Sequence, residues 1–328
     1  MDFTRIEDLS AAHCEARVLH AAVRLDLFAA VGDGATAAEA AAARGLDPRA
    51  TELLMNAMAG LGLLAKAGDA FTLPPAVRRH LLPDSPNYLG EMIAFEADGW
   101  DLWGRLDETV RTGKPARTPD MYQGDPAQTR RFILAMDHLV RARGDAEWLA
   151  ENLDFADVRR MLDIGSGPAT YPVGVCRAHP QVAATVFDLP GTLEITREMV
   201  ERAGMADRIA LVPGDYNADP LPSGFDLVFL SNVIHGEDEG RNRALMASCF
   251  GALRPGGRVV IKDHILEADR TRPVGAAVFS LLMLLSTRGR DYAFGEVAGW
   301  LREAGFDRPT ETVLPPPFSS SLVIARRP

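Results

Sequence analysis

Cysteine is nearly missing from this chain, with three in 328 residues. Cys14, Cys176 and Cys249 are far apart and odd in number, which leaves neither a disulfide framework nor a Cys-x-x-Cys metal site and fits a reducing, cytoplasmic setting. Long hydrophobic runs are also missing. The longest, Ala276 to Leu285, is about half of the roughly 20 residues that a membrane-spanning helix needs. The first twenty residues carry Asp2, Glu7, Asp8 and Glu15 and lack the apolar core of a secretory signal. A basic surplus is absent too: 35 Lys and Arg stand against 45 Asp and Glu, a net charge of −10, which disfavours nucleic acid and other polyanions as partners. What remains is 47% hydrophobic and 24% charged, an ordinary globular balance, with enough length for two domains or one elaborated domain. A chain of this size buries about 75% of its unfolded surface, so its core needs no metal or disulfide.

Residues 1–95 read as mostly helical. Val18, Leu19, Ala22, Val23 and Leu27 form a helical stripe. Thr36-Ala-Ala-Glu39 is a capping box for a second helix that Gly45 stops, and Asp47-Pro48 opens a third. Two short strands about Gly68-Asp69 follow, which completes a winged-helix order. Such domains often read DNA, but this segment carries four more acids than bases, and its would-be recognition helix, Pro48 to Leu61, offers only Arg49. A dimerising or packing role is expected instead. Residues 96–155 form a polar bridge with helices expected at Trp100 to Arg111 and Thr129 to Glu151. From Arg160 short apolar runs alternate with helical segments: Arg160 to Ile164, Ala184 to Phe187, Ile209 to Val212, Leu227 to Leu230, Val259 to Lys262 and finally Ser321 to Ala325. This is an α/β pattern with a doubly wound, Rossmann-like sheet over residues 156–328.

Three strand ends carry chemistry. After the first run comes Asp163-Ile164-Gly165-Ser166-Gly167, a glycine pair that lets the backbone approach a ligand. Thr170 occupies the place where a nicotinamide-type Gly-x-Gly-x-x-Gly motif has its third glycine, and Pro168 stands between. The second run ends in Asp188-Leu189, where an acid can accept both hydroxyls of a ribose or simply cap a helix. The third is followed by Asp215-Tyr216, a carboxylate for an adenine amine and a ring to stack on the base. An adenosine pocket without a pyrophosphate cradle favours S-adenosylmethionine (SAM) over a dinucleotide.

These motifs, with Ser231-Asn232-Val233-Ile234-His235, Leu253-Arg254-Pro255-Gly256-Gly257-Arg258 and Ala304-Gly305-Phe306, occur in an order that resembles class I methyltransferases of the O-methyltransferase type. That family, which includes caffeate, acetylserotonin, hydroxyneurosporene and anthracycline O-methyltransferases, has an N-terminal dimerisation domain. The resemblance covers nearly the whole chain. It implies a homodimer, a small-molecule acceptor and His235 as the base that removes the acceptor's proton, supported by Asp263 and Glu296. It also implies Ser231 near the methionine part of the cofactor. The segment Val278 to Leu285, with Met283, would line the acceptor pocket, and Met136 and His138 would roof it. The chain departs from the family after His235, with Gly236-Glu237 in place of the usual Asp-Trp. His264 is a rival base, but strand alternation would turn it from the face used by Asp263. Other acceptors (carbon, sulfur or nitrogen), a non-catalytic SAM-binding regulator and a nicotinamide oxidoreductase stay open as alternatives at this level.

Overall fold

The computed structural model describes residues 1–328, which divide into two compact units, Met1–Trp100 and Asp101–Pro328. In the first unit, Asp2 caps the long helix Phe3–Arg24. The Thr36–Glu39 capping box opens Ala37–Arg44, which ends at left-handed Gly45, and Asp47 caps Pro48–Gly60. Ala65–Ala67 and Ala70–Thr72 form the hairpin, and Ala35–Thr36 pairs on its other side. Leu27, Phe28, Met55, Met58 and Phe71 are its buried centre.

The second unit is built on a seven-stranded sheet. Its strands are β1 (Arg160–Ile164), β2 (Ala183–Asp188), β3 (Ile209–Pro213), β4 (Phe225–Ser231), β5 (Leu253–Asp263), β6 (Asp307–Val313) and β7 (Ser321–Arg326). They lie in the order β6-β7-β5-β4-β1-β2-β3. β1 to β5 are parallel, and β7 and β6 are antiparallel additions at one edge. The inner strands are apolar on both faces because helices cover both. In β4, Leu227 and Phe229 enter one core while Val228 and Leu230 enter the other. β6 was not evident from sequence: an edge strand reading Asp-Arg-Pro-Thr-Glu-Thr-Val is mostly exposed and carries no apolar alternation. No helix is long and apolar enough to cross a membrane.

The expected bridge does not stand apart. From Asp101 onward it belongs to the sheet unit, and its two long helices are broken where small residues intervene. Leu106–Thr112 is separate from Trp100–Trp103, and left-handed Gly144 divides Pro126–Arg143 from Asp145–Asn152. The helix Pro126–Arg143 lies along Pro190–Arg202 through Ile133, Ile195 and Met199, with a two-pronged Arg130–Glu198 ion pair at the rim. Asp145 forms a buried 2.9 Å ion pair with Lys262 of β5.

Candidate active site

The chain order reverses between β1 and β4, and in open parallel sheets ligands bind beyond the carboxyl ends of the strands at such a point. Asp188 and Ser231 end strands there, and the glycine loop and His235 follow strands there. Gly165 and Gly167 have φ of +64° and +59°, a region that favours glycine. A Cβ at Gly165 would also come within 3.1 Å of Val233 Cγ2. Asp188 holds this loop: its Oδ2 accepts from Gly167 N–H at 2.8 Å and its Oδ1 from Leu189 N–H at 2.7 Å. Each oxygen keeps a further lone pair. Burial raises the Asp188 carboxyl to about 6 despite these bonds. Asp163 lies deeper, accepts from Ser166 Oγ at 2.6 Å, and is pushed up to about 8 by burial, with the Asp188 charge adding to it. Its Oδ1 is buried without a hydrogen-bond partner.

Asp215 and Tyr216 hydrogen-bond to different partners. Asp215 Oδ1 accepts from Asn217 N–H at 2.8 Å, whereas the Tyr216 hydroxyl donates to Glu237 Oε1 at 3.1 Å and its ring edge stands beside Gly165. Glu237, which replaces the family's usual residue, thereby ties the loop after β3 to the segment after β4. It also accepts from Asn217 Nδ2 at 2.7 Å and pairs with Arg241 at 3.2 Å. Ser231 is half-buried at the end of β4, 3.4 Å from Asn232 Nδ2. Met136 and His138 are half-buried on the helix whose Ile133 approaches Gly167 and whose Asp137 accepts from Thr170 Oγ1 at 2.6 Å.

His235 sits in a single 3₁₀ turn after β4, with Nδ1 2.6 Å from Asp263 Oδ1 at the end of β5. The other Asp263 oxygen accepts from Ile234 N–H at 3.1 Å, so the carboxylate fixes both the ring and its turn. Burial would lower the His235 pKa, but the Asp263 charge and hydrogen bond outweigh it, Asp291 adds to them, and the net direction is upward. The backbone of His235 is also hemmed in: a Cβ on Gly289 would fall 2.2 Å from the His235 carbonyl oxygen.

Glu296 is not the second acid of this cluster. Its carboxylate accepts from Ala293 N–H at 2.9 Å, the backward half of a helix cap, and pairs with Arg270 and Arg290 at 2.9 and 2.8 Å. The acid that joins His235 and Asp263 is Asp291, delivered by the parallel pairing of Tyr292–Ala293 with Ile265–Leu266. Glu296→Ala should therefore act on stability, lowering the melting temperature by the few degrees expected for about 1 kcal/mol of lost cap. Calorimetry checks this. His264 also joins the cluster, against the alternation argument. β5 ends at Asp263, so a period of two no longer applies to the next residue. The His235 and His264 rings are nearly parallel, 6.0 Å apart, and Phe279 stands edge-on to both at 5.0 and 4.6 Å. Phe279 belongs to the helix Val274–Ser286, in which Met283 is buried.

Residues 105–307 match the profile of the O-methyltransferase domain. The chain belongs to this family. As an O-methyltransferase it is 36% identical over 314 residues to the 3-hydroxy-5-methyl-1-naphthoate 3-O-methyltransferase of Streptomyces sahachiroi, covering 92% of this chain and 89% of that protein. It is 32% identical over 331 residues to the tetracenomycin polyketide synthesis 8-O-methyl transferase of Streptomyces glaucescens, covering 98% and 96%. The solved structure of PigF with SAH superposes with a TM-score of 0.89 at 26% identity, covering all of both chains. The cofactor of this methyltransferase is SAM. The residues fit it: the buried Asp188 carboxylate beside the glycine loop would repel a pyrophosphate, whereas it suits hydroxyl donors and a nearby sulfonium charge.

Proposed function

We propose that this enzyme methylates a hydroxyl of an aromatic or polyketide-like small molecule and that His235 removes the hydroxyl proton. The observation that carries this reading is the buried 2.6 Å contact between His235 and Asp263 beside the cofactor loop. With Nδ1–H donated to Asp263, the neutral ring keeps its lone pair at Nε2. Bound SAM supplies an electrophilic methyl for in-line displacement. The protein's part is to align the acceptor oxygen and to take its proton at Nε2, after which Asp263 and Asp291 stabilise the imidazolium. Asp188 accepts the ribose hydroxyls, Asp215 the adenine amine, and Gly165 and Gly167 admit the methionine end. The names of the Streptomyces relatives, a naphthoate 3-O- and a polyketide 8-O-methyltransferase, support an aromatic hydroxyl as acceptor. Incubation with methyl-labelled SAM and a panel of hydroxynaphthoates, thiols and amines tests it. Label in aryl ethers is expected, and label confined to sulfur, nitrogen or carbon products contradicts it.

Two copies join through the N-terminal unit in this reading. Phe3, Ile6 and Leu9 are 77%, 56% and 51% exposed at three-residue spacing on the first helix, an apolar stripe that a second copy would cover. Light scattering should give a dimer for the wild type and a monomer for Ile6→Asp/Leu9→Asp. A monomeric wild type at micromolar concentration contradicts the dimer.

A further inference from the structure

Beside the two stacked imidazoles lies an acid, Asp291, that acts on His235 only through its charge. Asp291 is wholly buried, and neither carboxylate oxygen has a hydrogen-bond partner, a costly state for a polar group. Its nearest ring nitrogen is His264 Nδ1, 3.8 Å from Oδ1 and likewise buried without a partner. Closing that gap by less than about 1 Å satisfies both groups if Nδ1 carries the hydrogen. Nε2 of His264 is then a lone-pair acceptor. Its neighbour is the exposed Ser319 hydroxyl at a long 3.4 Å, a contact that a better donor could displace. The side chains of His235 and His264 keep 11% and 16% of their surface open, and both rings share the Phe279 edge. The two rings thus border one space.

We propose that His264, oriented by Asp291, is a second polar anchor that accepts a hydrogen bond from another hydroxyl of the acceptor, so that the preferred acceptors are dihydroxy- or polyhydroxyaromatics. This rests on the reading of His235 as the base and extends it to the acceptor's second oxygen. The 6.0 Å between parallel rings suits two hydroxyls on one ring or on fused rings, whose oxygens lie within about 5 Å of each other. Burial also holds His264 down at about 4, so it stays neutral and sets no cation beside the sulfonium. Asp291 is a positioning residue here, since it reaches the acceptor only through the imidazole.

The test compares 1,3-dihydroxynaphthalene with 1-naphthol, as kcat/KM with SAM and as affinity for the enzyme saturated with S-adenosylhomocysteine. The wild type should favour the diol by about tenfold or more, chiefly in KM and affinity. His264→Phe should bring the ratio close to one. His264→Gln, which keeps an acceptor near the Nε2 position, should restore part of it, and Asp291→Asn should lower it. Equal handling of diol and mono-ol by the wild type overturns the proposal while leaving methyl transfer to a hydroxyl intact, and so does a ratio that His264→Phe leaves unchanged. Failure of both probes to bind also counts against it.

Discussion

Replacing His235 with Gln should lower kcat for a phenolic acceptor by about 10²- to 10⁴-fold, the usual weight of a positioned general base. Affinity for S-adenosylhomocysteine should change little, because the glycine loop proposed to receive it is held by Asp188 and not by the imidazole. As the proposed base, the same residue should set the pH profile. Burial pulls its pKa down, the Asp263 pair pulls it up further, and the outcome lies above the ordinary 6.5. Only the neutral ring can take a proton, so kcat should fall as pH drops through that raised value, and the limb should lie above 6.5. The groups that face the ring are Asp263, Asp291 and His264. Asp291→Asn removes one of the charges that favours the imidazolium and should move the limb downward. Steady-state rates between pH 5 and 9 decide this, and a limb at or below 6.5 contradicts it.

The second large effect concerns the cofactor. Asp188→Ala should raise the Kd for S-adenosylhomocysteine by about 100-fold or more, since two hydrogen bonds to a carboxylate are lost at about 1.5–3 kcal/mol each. The buried N–H groups of Gly167 and Leu189 would also lose their acceptor, loosening the glycine loop. Asp188→Asn keeps one acceptor and should fall between, which separates lost recognition from a damaged fold. Because burial raises this carboxyl to about 6, binding should weaken below that pH as the acceptor protonates. Calorimetric titration reads both effects, and an alanine variant within threefold of wild type contradicts the assignment.

Most of the architecture is legible in the residues because its signals are local. Caps at Thr36 and Asp47, left-handed glycines and β-branched runs each carry their own physics. The His235–Asp263 pairing is legible only through the family resemblance, and the structure supplies its reason: parallel β4 and β5 deliver their ends side by side. Asp291 is not, because it comes from a loop 28 positions after Asp263 that only the short Ile265–Tyr292 pairing brings home. Glu296 has the right residue type and the wrong surroundings, two arginines and a helix start. His264 is misjudged because alternation is extended one residue beyond the strand. Glu237 looks like a departure from the family, yet it anchors Tyr216, Asn217 and Arg241.

Acceptor acidity isolates the proposed transfer of the acceptor's proton to His235. Single-turnover methylation by wild type and His235→Gln can be compared across phenols whose pKa runs from about 10 down to well below neutral. A phenol already ionised in solution needs no base. A rate deficit of at least about 100-fold is expected for the weakly acidic phenols, shrinking to a few-fold for the ionised ones. An equal deficit across the series would mean that His235 does not act as the base.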